Sequence, residues 1–236
     1  MAKSFVGGVH PPCRKDRTHA LPIERLPVPK TVVIPLSQHT GKVNAPLVAV
    51  GDRVLLGQKI GDIDAPIACP VHASVSGRVT AVEMRYHTNG REVLSIVIEN
   101  DFTDELHPTV QPKNLNDMSA ADVLRWLREA GIVGMGGGGF PTHAKLAPPP
   151  GGTLDTVLLN GAECEPYLTA DHRVMVEWAD DVILGLRCLM KAAGVKQGYI
   201  GVEVNKTDAL TALRQAIAPA LDIQIVPLAV KYPQGA

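Results

Sequence analysis

Five glycines fall within six positions, Gly134, Gly136, Gly137, Gly138 and Gly139, and are followed by Phe140-Pro141 and then Lys145. The chemistry such a stretch suits is the holding of a phosphate. Glycine takes positive φ without steric penalty, so a run of them can turn several backbone N–H groups toward one anion. Lys145 adds a full positive charge nearby. Each charge-assisted hydrogen bond to a phosphate oxygen contributes roughly 1.5–3 kcal/mol, and several together outweigh the entropy lost in ordering the glycines. The plain alternative is a flexible tight turn. Against it stands Phe140-Pro141, a stiff apolar pair that points to a fixed loop packed on a flat surface.

Two common phosphate loops do not fit. Gly134, Gly136 and Gly139 satisfy G-x-G-x-x-G, but that pattern has meaning only between a strand and the helix it opens. Here the preceding segment reads as a helix: Ser119 is an N-cap, Val123, Leu124, Leu127 and Ala130 recur at helical spacing, and Gly131 ends the run. The P-loop pattern fails because Phe140 stands where its lysine must be.

The chain has 236 residues and a formal net charge of −1, and no basic cluster stands out, which argues against nucleic-acid binding. No apolar run is long enough to span a bilayer, and the first five residues lack the apolar core of a signal peptide. The expected location is the cytoplasm, with membrane association only through a partner. Cys13, Cys69, Cys164 and Cys188 form no C-x-x-C pair, which excludes a local iron-sulfur motif and leaves them as free thiols in a reducing compartment. His10 and His19 have no second pair at ligand spacing, so no metal site is expected.

The elements that must position the glycine stretch divide the chain into four parts. Residues 1–30 are rich in proline and turn residues and are expected to wrap as an ordered arm. Residues 31–101 read as a small all-β domain, with strand signals at 32–34, 47–50, 54–56, 77–82 and 94–98 separated by turns. Its 50–60 and 70–79 segments resemble the two halves of a biotinyl/lipoyl-type barrel-sandwich. Such a carrier needs a lysine at the tip of its central hairpin, and residues 62–70 contain none; Lys59, inside a strand signal, is expected to be a solvated side chain and His72 a structural one. The domain is therefore a carrier-like scaffold without a carrier lysine. Residues 102–118 form a polar linker.

Residues 119–236 read as α/β, with strands at 156–159, 199–204 and 223–230, a helix over 173–193 closed by Gly194, and a helix over 208–218 capped by Thr207 and stopped by Pro219. Strand-helix alternation with short joints implies a mostly parallel sheet covered by helices. Ligands of such sheets sit outside the carboxyl ends of the strands, where Asn160, Glu163 and Glu165 follow the first strand and Asn205 and Lys206 the second. An asparagine there suits a heteroaromatic ring edge, and a carboxylate suits ribose hydroxyls or a carboxamide. The alternative is a helix-capping loop, for which Glu163 and Asp171 are adequate.

Residues 131–145 and 160–173 resemble the flavin-binding loops of the NADH-oxidising subunit of respiratory complex I, with patterns G-R-G-G-A-G-F-P-T-G-L-K and N-A-D-E-x-E-P-G. Across its whole length the sequence is similar to the family of Rnf-complex C subunits, through residues 5–12 (FVGGVHPP), 35–39 (PLSQH), 161–167 (GAECEPY) and 202–206 (VEVNK). A cobalamin-reductase-like flavoprotein of the same superfamily is the alternative, and the amino-terminal Gly-Gly-Val-His-Pro-Pro run favours the Rnf group. The resemblance implies an electron-transport flavoprotein in which NADH reduces FMN and electrons leave singly through iron-sulfur clusters toward ferredoxin, coupled to ion pumping. It would sit peripherally on the cytoplasmic face of the bacterial inner membrane, held by other Rnf-complex subunits. It further implies that Gly134, Gly136, Gly137, Gly138 and Lys145 hold the FMN phosphate and ring, Asn160 and Glu163 the ring edge and Asn205 the phosphate side. Phe140 would stack on the NADH base and Glu165 would contact NADH. No protein acid or base is implied, because the cofactor carries the chemistry.

The sequence departs from the complex I pattern at Ala162, in place of an aspartate, and at Met135, in place of an arginine. Cys164 is usual for the Rnf group and reads as a packing residue beside the flavin. Members of the family continue into further flavin-domain elements, a ubiquitin-like domain and two 4Fe-4S cysteine motifs. The expectation is therefore an amino-terminal half that lacks cluster ligands and does not by itself pass electrons from NADH to ferredoxin. A non-catalytic docking piece is the remaining alternative, although such a piece has no need of the glycine stretch.

Overall fold

The structure, a computed structural model, describes residues 2–135, 138–148 and 151–235. The chain forms two compact units. One is Leu26–Ala147; the other is discontinuous and joins Met1–Arg25 to Pro148–Ala236.

The first unit is built from strands β1 (Thr31–Pro35), β2 (Ala45–Pro46), β3 (Arg53–Val54), β4 (Lys59–Asp62), β5 (Val71–His72), β6 (Gly77–Tyr86) and β7 (Glu92–Asn100). They make an antiparallel sheet in the order β1-β7-β6-β3 and a second antiparallel sheet in the order β2-β4-β5. Side chains alternate across a strand, so Val79 is buried while Arg78 and Thr80 face solvent. Ile34, Leu36, Ile60, Val79, Ile96 and Ile98 form the core between the sheets. Residues 47–50 are apolar but extend the pairing only as far as Leu47, whose N–H donates to Ile60 O at 2.8 Å. The Asp52 carboxylate then accepts from Ala49 N at 2.8 Å and Gly51 takes φ +98°, so a turn ends the segment where a strand is expected from composition.

Helix α1 (Ala120–Glu129) starts on a capping box: Ser119 Oγ accepts from Asp122 N, and Asp122 Oδ2 accepts from Ser119 N. Its Val123 and Leu127 are buried. Ser119→Ala removes the cap, and we expect it to cost about 1 kcal/mol of stability, read as a lower urea midpoint at unchanged slope. An unshifted midpoint would show that the box contributes nothing. The helix closes on a Schellman motif, with Gly131 at φ +70°, Gly131 N donating to Arg128 O at 2.8 Å and Ile132 N to Leu127 O at 3.0 Å.

Lys59 is not a solvated side chain. Its Nζ lies 3.0 Å from Asp62 Oδ2 and 2.5 Å from Glu129 Oε2, and Arg128 meets Asp62 Oδ1 at 2.9 Å. These pairs tie β4 to α1, where opposite charges have a shared, partly shielded surface to occupy. Burial opposes ionisation of Asp62, but hydrogen bonds from Arg128 and Lys59 prevail and hold its carboxyl below the usual range. A one-turn helix, α2 (Thr142–Lys145), follows the glycine stretch.

The second unit contains β8 (Thr156–Gly161), α3 (Ala170–Glu177), α4 (Ala179–Ala193), β9 (Gln197–Glu203), α5 (Thr207–Ala216) and β10 (Ile223–Leu228). The three strands are parallel, in the order β10-β9-β8. Met175, Ile183, Leu186, Ile200, Val202 and Leu213 pack the helices on the sheet. The single helix expected over 173–193 is two helices, broken at Trp178 with φ −129° and ψ 40°. The new amino terminus carries Asp180 and Asp181 in its first turn, where acidic side chains complement the helix dipole. Thr207 is the first residue of α5 and not its cap, and the helix ends at Ala216, ahead of Pro219.

The arm runs along the edge of this sheet. Lys3 pairs beside Leu228 and Val9 pairs antiparallel with Tyr232, each through two backbone hydrogen bonds of 2.8–2.9 Å. Lys231 holds the arm between them: its Nζ donates to Phe5 O and to Gly7 O and sits 3.6 Å from the centre of the Phe5 ring.

Candidate functional site

In the first unit the glycine stretch leaves α1 through Gly131 and forms a narrow hairpin. Gly134 N donates to Phe140 O at 2.9 Å, Val133 pairs with Pro141, and Thr142 N donates to Ile132 O at 3.0 Å. The loop is also pinned from the side, since Thr40 Oγ1 donates to Gly138 O at 2.5 Å and Thr40 N to Gly139 O at 3.0 Å. The described limbs of the stretch are thus held at 132–134, at 138–139 and at 140–142. Gly139 takes φ +55°, which a side chain rarely adopts. Gly134 and Gly138 are exposed, and a Cβ on Gly138 would meet nothing within 4 Å, so the backbone there is open to close approach. Gly136 and Gly137 lie outside the described residues. Phe140 is half-buried, and Lys145, the last residue of α2, is exposed.

Behind the hairpin, the buried Cys69 thiol lies 3.6 Å from His143 Nδ1 and 3.7 Å from Ile132 O. Burial pushes the Cys69 thiol up and the His143 imidazole down, so both are held neutral. They serve as a packed floor. In the same unit burial also lowers His72, and its half-buried imidazole is kept neutral in β5.

In the second unit the carboxyl ends of β8 and β9 carry the other candidate residues. Asn160 is exposed; its Oδ1 accepts from Ala162 N at 3.1 Å and its Nδ2 donates to Gly235 O at 2.6 Å. Asn205 is exposed and accepts from Lys206 Nζ at 3.3 Å. Glu165 is exposed, with Cys164 Sγ 3.8 Å from its Oε2. Cys164 is half-buried, and its sulfur also accepts from Gly235 N at 3.4 Å.

Glu163 is turned inward. Its Oε1 accepts from Asp171 N at 2.7 Å and His172 N at 3.2 Å, and its Oε2 lies 3.3 Å from Lys15 Nζ. The carboxylate thus caps α3, in the manner of the capping alternative, and is not directed at a ring edge. The reason is local: the first N–H groups of a helix need acceptors, and a carboxylate at that terminus gains from the helix dipole as well.

Two buried cations underlie this loop, and neither is evident in the sequence. Lys206, 1% exposed, donates from Nζ to Ala162 O at 2.7 Å and to Glu203 Oε2 at 2.8 Å; Glu203 is also 1% exposed. Lys15 comes from the arm, 148 residues away from Glu163, so no local pattern identifies it. For Lys206 the only available signal is its place just past a strand end. A cavity of about 140 Å³ is lined by Cys13, Lys15, Cys164, Glu203, Asn205 and Lys231, among others. Among the described residues, no group of three or more His, Cys, Asp or Glu is placed to hold a metal ion. No helix among them is long and apolar enough to cross a membrane.

The two sets of residues therefore present acceptors, donors and open backbone, and the one thiol–imidazole pair described beside them, Cys69 and His143, is held neutral behind the hairpin. Comparison with known proteins agrees with this division. Residues 3–103 match the RnfC barrel sandwich hybrid domain family, and residues 127–236 match the Nuo51 FMN-binding domain family. The chain is 50% identical over 99% of its length to the C subunit of the Na(+)-translocating ferredoxin:NAD(+) oxidoreductase complex of Acetobacterium woodii, of which it covers 53%. It is 45% identical over its full length to the proton-translocating counterpart of Clostridium ljungdahlii, covering 52% of that protein. It is 40% identical over 98% of its length to the C subunit of the ion-translocating oxidoreductase complex of Pectobacterium carotovorum, covering 31%. The chain spans about half the length of the first two. With a barrel-sandwich segment followed by an FMN-domain segment, and with 40–50% identity sustained from one end to the other, this chain is a homologue of the C subunits of Rnf-type ion-translocating oxidoreductase complexes.

Proposed function

We propose that the chain binds FMN and NADH and serves as an electron-entry segment of an Rnf-type complex. It would be held at the cytoplasmic face of the membrane by the other subunits, with ferredoxin as the indirect electron partner. The observation that carries this reading is the pinned hairpin of the glycine stretch, whose exposed Gly134 and Gly138 leave the backbone open to an anionic group. Bound FMN would supply the exchange between a two-electron donor and one-electron acceptors. Gly134, Gly136, Gly137, Gly138 and Lys145 are assigned to its phosphate and ring, Asn160 to its ring edge and Asn205 to its phosphate side. Glu163 contributes by shaping the loop that follows β8, since its carboxylate is occupied by α3 and Lys15. Phe140 is assigned to stacking on the NADH base and the exposed Glu165 carboxylate to accepting from NADH hydroxyl or amide groups.

The test is retention of a yellow flavin band after mixing with FMN and desalting, followed by bleaching with NADH. Glu165→Gln is expected to weaken NADH binding about 10-fold or more, the equivalent of one charge-assisted hydrogen bond, while FMN affinity stays within about twofold. Loss of both ligands to the same degree would remove Glu165 from the NADH site. Failure of the wild-type protein to retain flavin would remove the functional reading itself.

A further inference from the structure

We infer that Lys15, on the amino-terminal arm, is a positioning residue for NADH: its buried ammonium fixes the 163–168 loop so that the Glu165 carboxylate is presented in one place. The inference rests on the proposed NADH role of Glu165. Lys15 is 7% exposed, and its Nζ donates to Glu163 O at 2.9 Å, to Glu165 O at 3.2 Å and to Leu168 O, besides meeting Glu163 Oε2 at 3.3 Å. Three carbonyls of one short loop therefore converge on a single cation. An ammonium suits that geometry, because its three donors diverge from one point, whereas a guanidinium presents them in a plane.

The loop needs such a hold. Glu163 and Tyr167 both have positive φ, at 51° and 70°, which non-glycine residues adopt only when their surroundings impose it. Residues 162–168 belong to no strand or helix, so their carbonyls are not satisfied by a strand ladder or a helix. Lys206 takes Ala162 O from the sheet side, and Lys15 takes those of Glu163, Glu165 and Leu168 from the arm side.

Lys15 is itself held in place. Tyr167 N donates to Cys13 O at 2.9 Å and Thr169 Oγ1 to Thr18 Oγ1 at 2.8 Å, while His19 Nδ1 is 3.0 Å from Lys15 O. The arm is thus fastened to the loop on both sides of Lys15. What is fixed at Glu165 is the backbone, and its side chain stays exposed. That is the arrangement expected of a residue presented to a ligand, and it makes the arm part of the site.

The test uses the FMN-loaded protein, with Lys15→Met, which keeps the stem and removes the donors, and Lys15→Arg, which keeps the charge and is the fallback if the first is insoluble. NADH-dependent flavin bleaching is followed in stopped flow. We expect the apparent Kd for NADH to rise about 10-fold or more in either variant. The limiting rate at saturating NADH should stay within about twofold, because Lys15 touches neither reacting group. Combined with Glu165→Gln, Lys15→Met should weaken NADH binding no further than Glu165→Gln alone, since both act through the same carboxylate. A Kd within about twofold of wild type in a soluble variant, or fully additive losses in the double variant, would overturn the role of Lys15 while leaving the flavin reading intact. A wild-type protein that bleaches with NADH but is indifferent to Glu165→Gln would overturn it as well, and one that binds no FMN would overturn both readings.

Discussion

Lys206→Met is expected to lower stability by about 3–5 kcal/mol, the range for breaking a fully buried ion pair by removing one partner. Methionine fills nearly the same space, so the loss comes from charge and not from a cavity. Among the described residues Glu203 Oε1 has no hydrogen-bond partner, and Oε2 has Lys206. Without the ammonium the carboxylate would be buried with neither oxygen satisfied, and Ala162 O would lose its donor too. For a chain of this size the melting temperature of the unit carrying the pair should fall by roughly 10 °C. A Lys206→Met/Glu203→Gln double variant should recover much of the loss, because an uncharged amide tolerates burial better than an unpaired carboxylate. A single variant melting within a degree or two of wild type would show that the carboxylate finds another donor. Flavin and NADH affinity should suffer in step, since the 160–168 loop rests on Ala162.

Gly131→Val is expected to cost about 3 kcal/mol or more, combining backbone strain with overlap. Gly131 sits at φ +70° as the left-handed closing residue of α1, and a Cβ there would lie 2.5 Å from Pro70 O and 3.4 Å from the His72 ring. A β-branched side chain is the poorest choice for that φ, and the Pro70 carbonyl belongs to the backbone just before β5, so it has little room to yield. Relief requires α1 and the 131–141 hairpin to move off β5, which displaces the glycine stretch as a whole. The expected signature is a lower urea midpoint together with loss of FMN retention, and Gly131→Ala should fall between wild type and valine on both measures. Unchanged unfolding with flavin retained would mean that the close approach to Pro70 is not a constraint.

These two sites lie at the two places where the residues assigned to ligand are held: the exit of α1 in one unit and the strand ends in the other. At the strand ends, Asn160, Glu165 and Asn205 are exposed while Lys15, Glu163, Glu203 and Lys206, which hold the loop behind them, are buried. The candidate ligand residues are thus legible from type and spacing, and their supports are not. Asn160, Glu165 and Asn205 are visible because polar residues past a buried strand have few other reasons to be there. Lys15 is invisible because its partners lie 148 residues or more along the chain, and nothing around it in the arm marks it as buried.

What the sequence by itself determined is the local structure whose energetics are local: the Ser119 capping box, the glycine closures at Gly131 and Gly194, and the alternating strands and helices that make β8, β9 and β10 parallel. Each depends on neighbours within a few positions, on 3.6- or 2-residue periodicity, or on a φ only glycine accepts freely. The tertiary structure alone decided where a local preference had two outlets. Residues 47–50 could pair or turn, and the Asp52 turn took them. The helix expected over 173–193 could run on, and it divided at Trp178. Glu163 could face a ligand or cap a helix; α3 and Lys15 turned it inward. Lys15 became a buried ion-pair partner only because Glu163 arrived from 148 residues away. Lys59 pairs with the nearby Asp62 but gained Glu129 from 70 residues away, and Lys206 pairs with Glu203 three positions before it but gained Ala162 O from 44 residues away. The pairing of a buried charge depends on which segments the fold returns to the same place, and that is a property of the folded chain that no window of sequence contains.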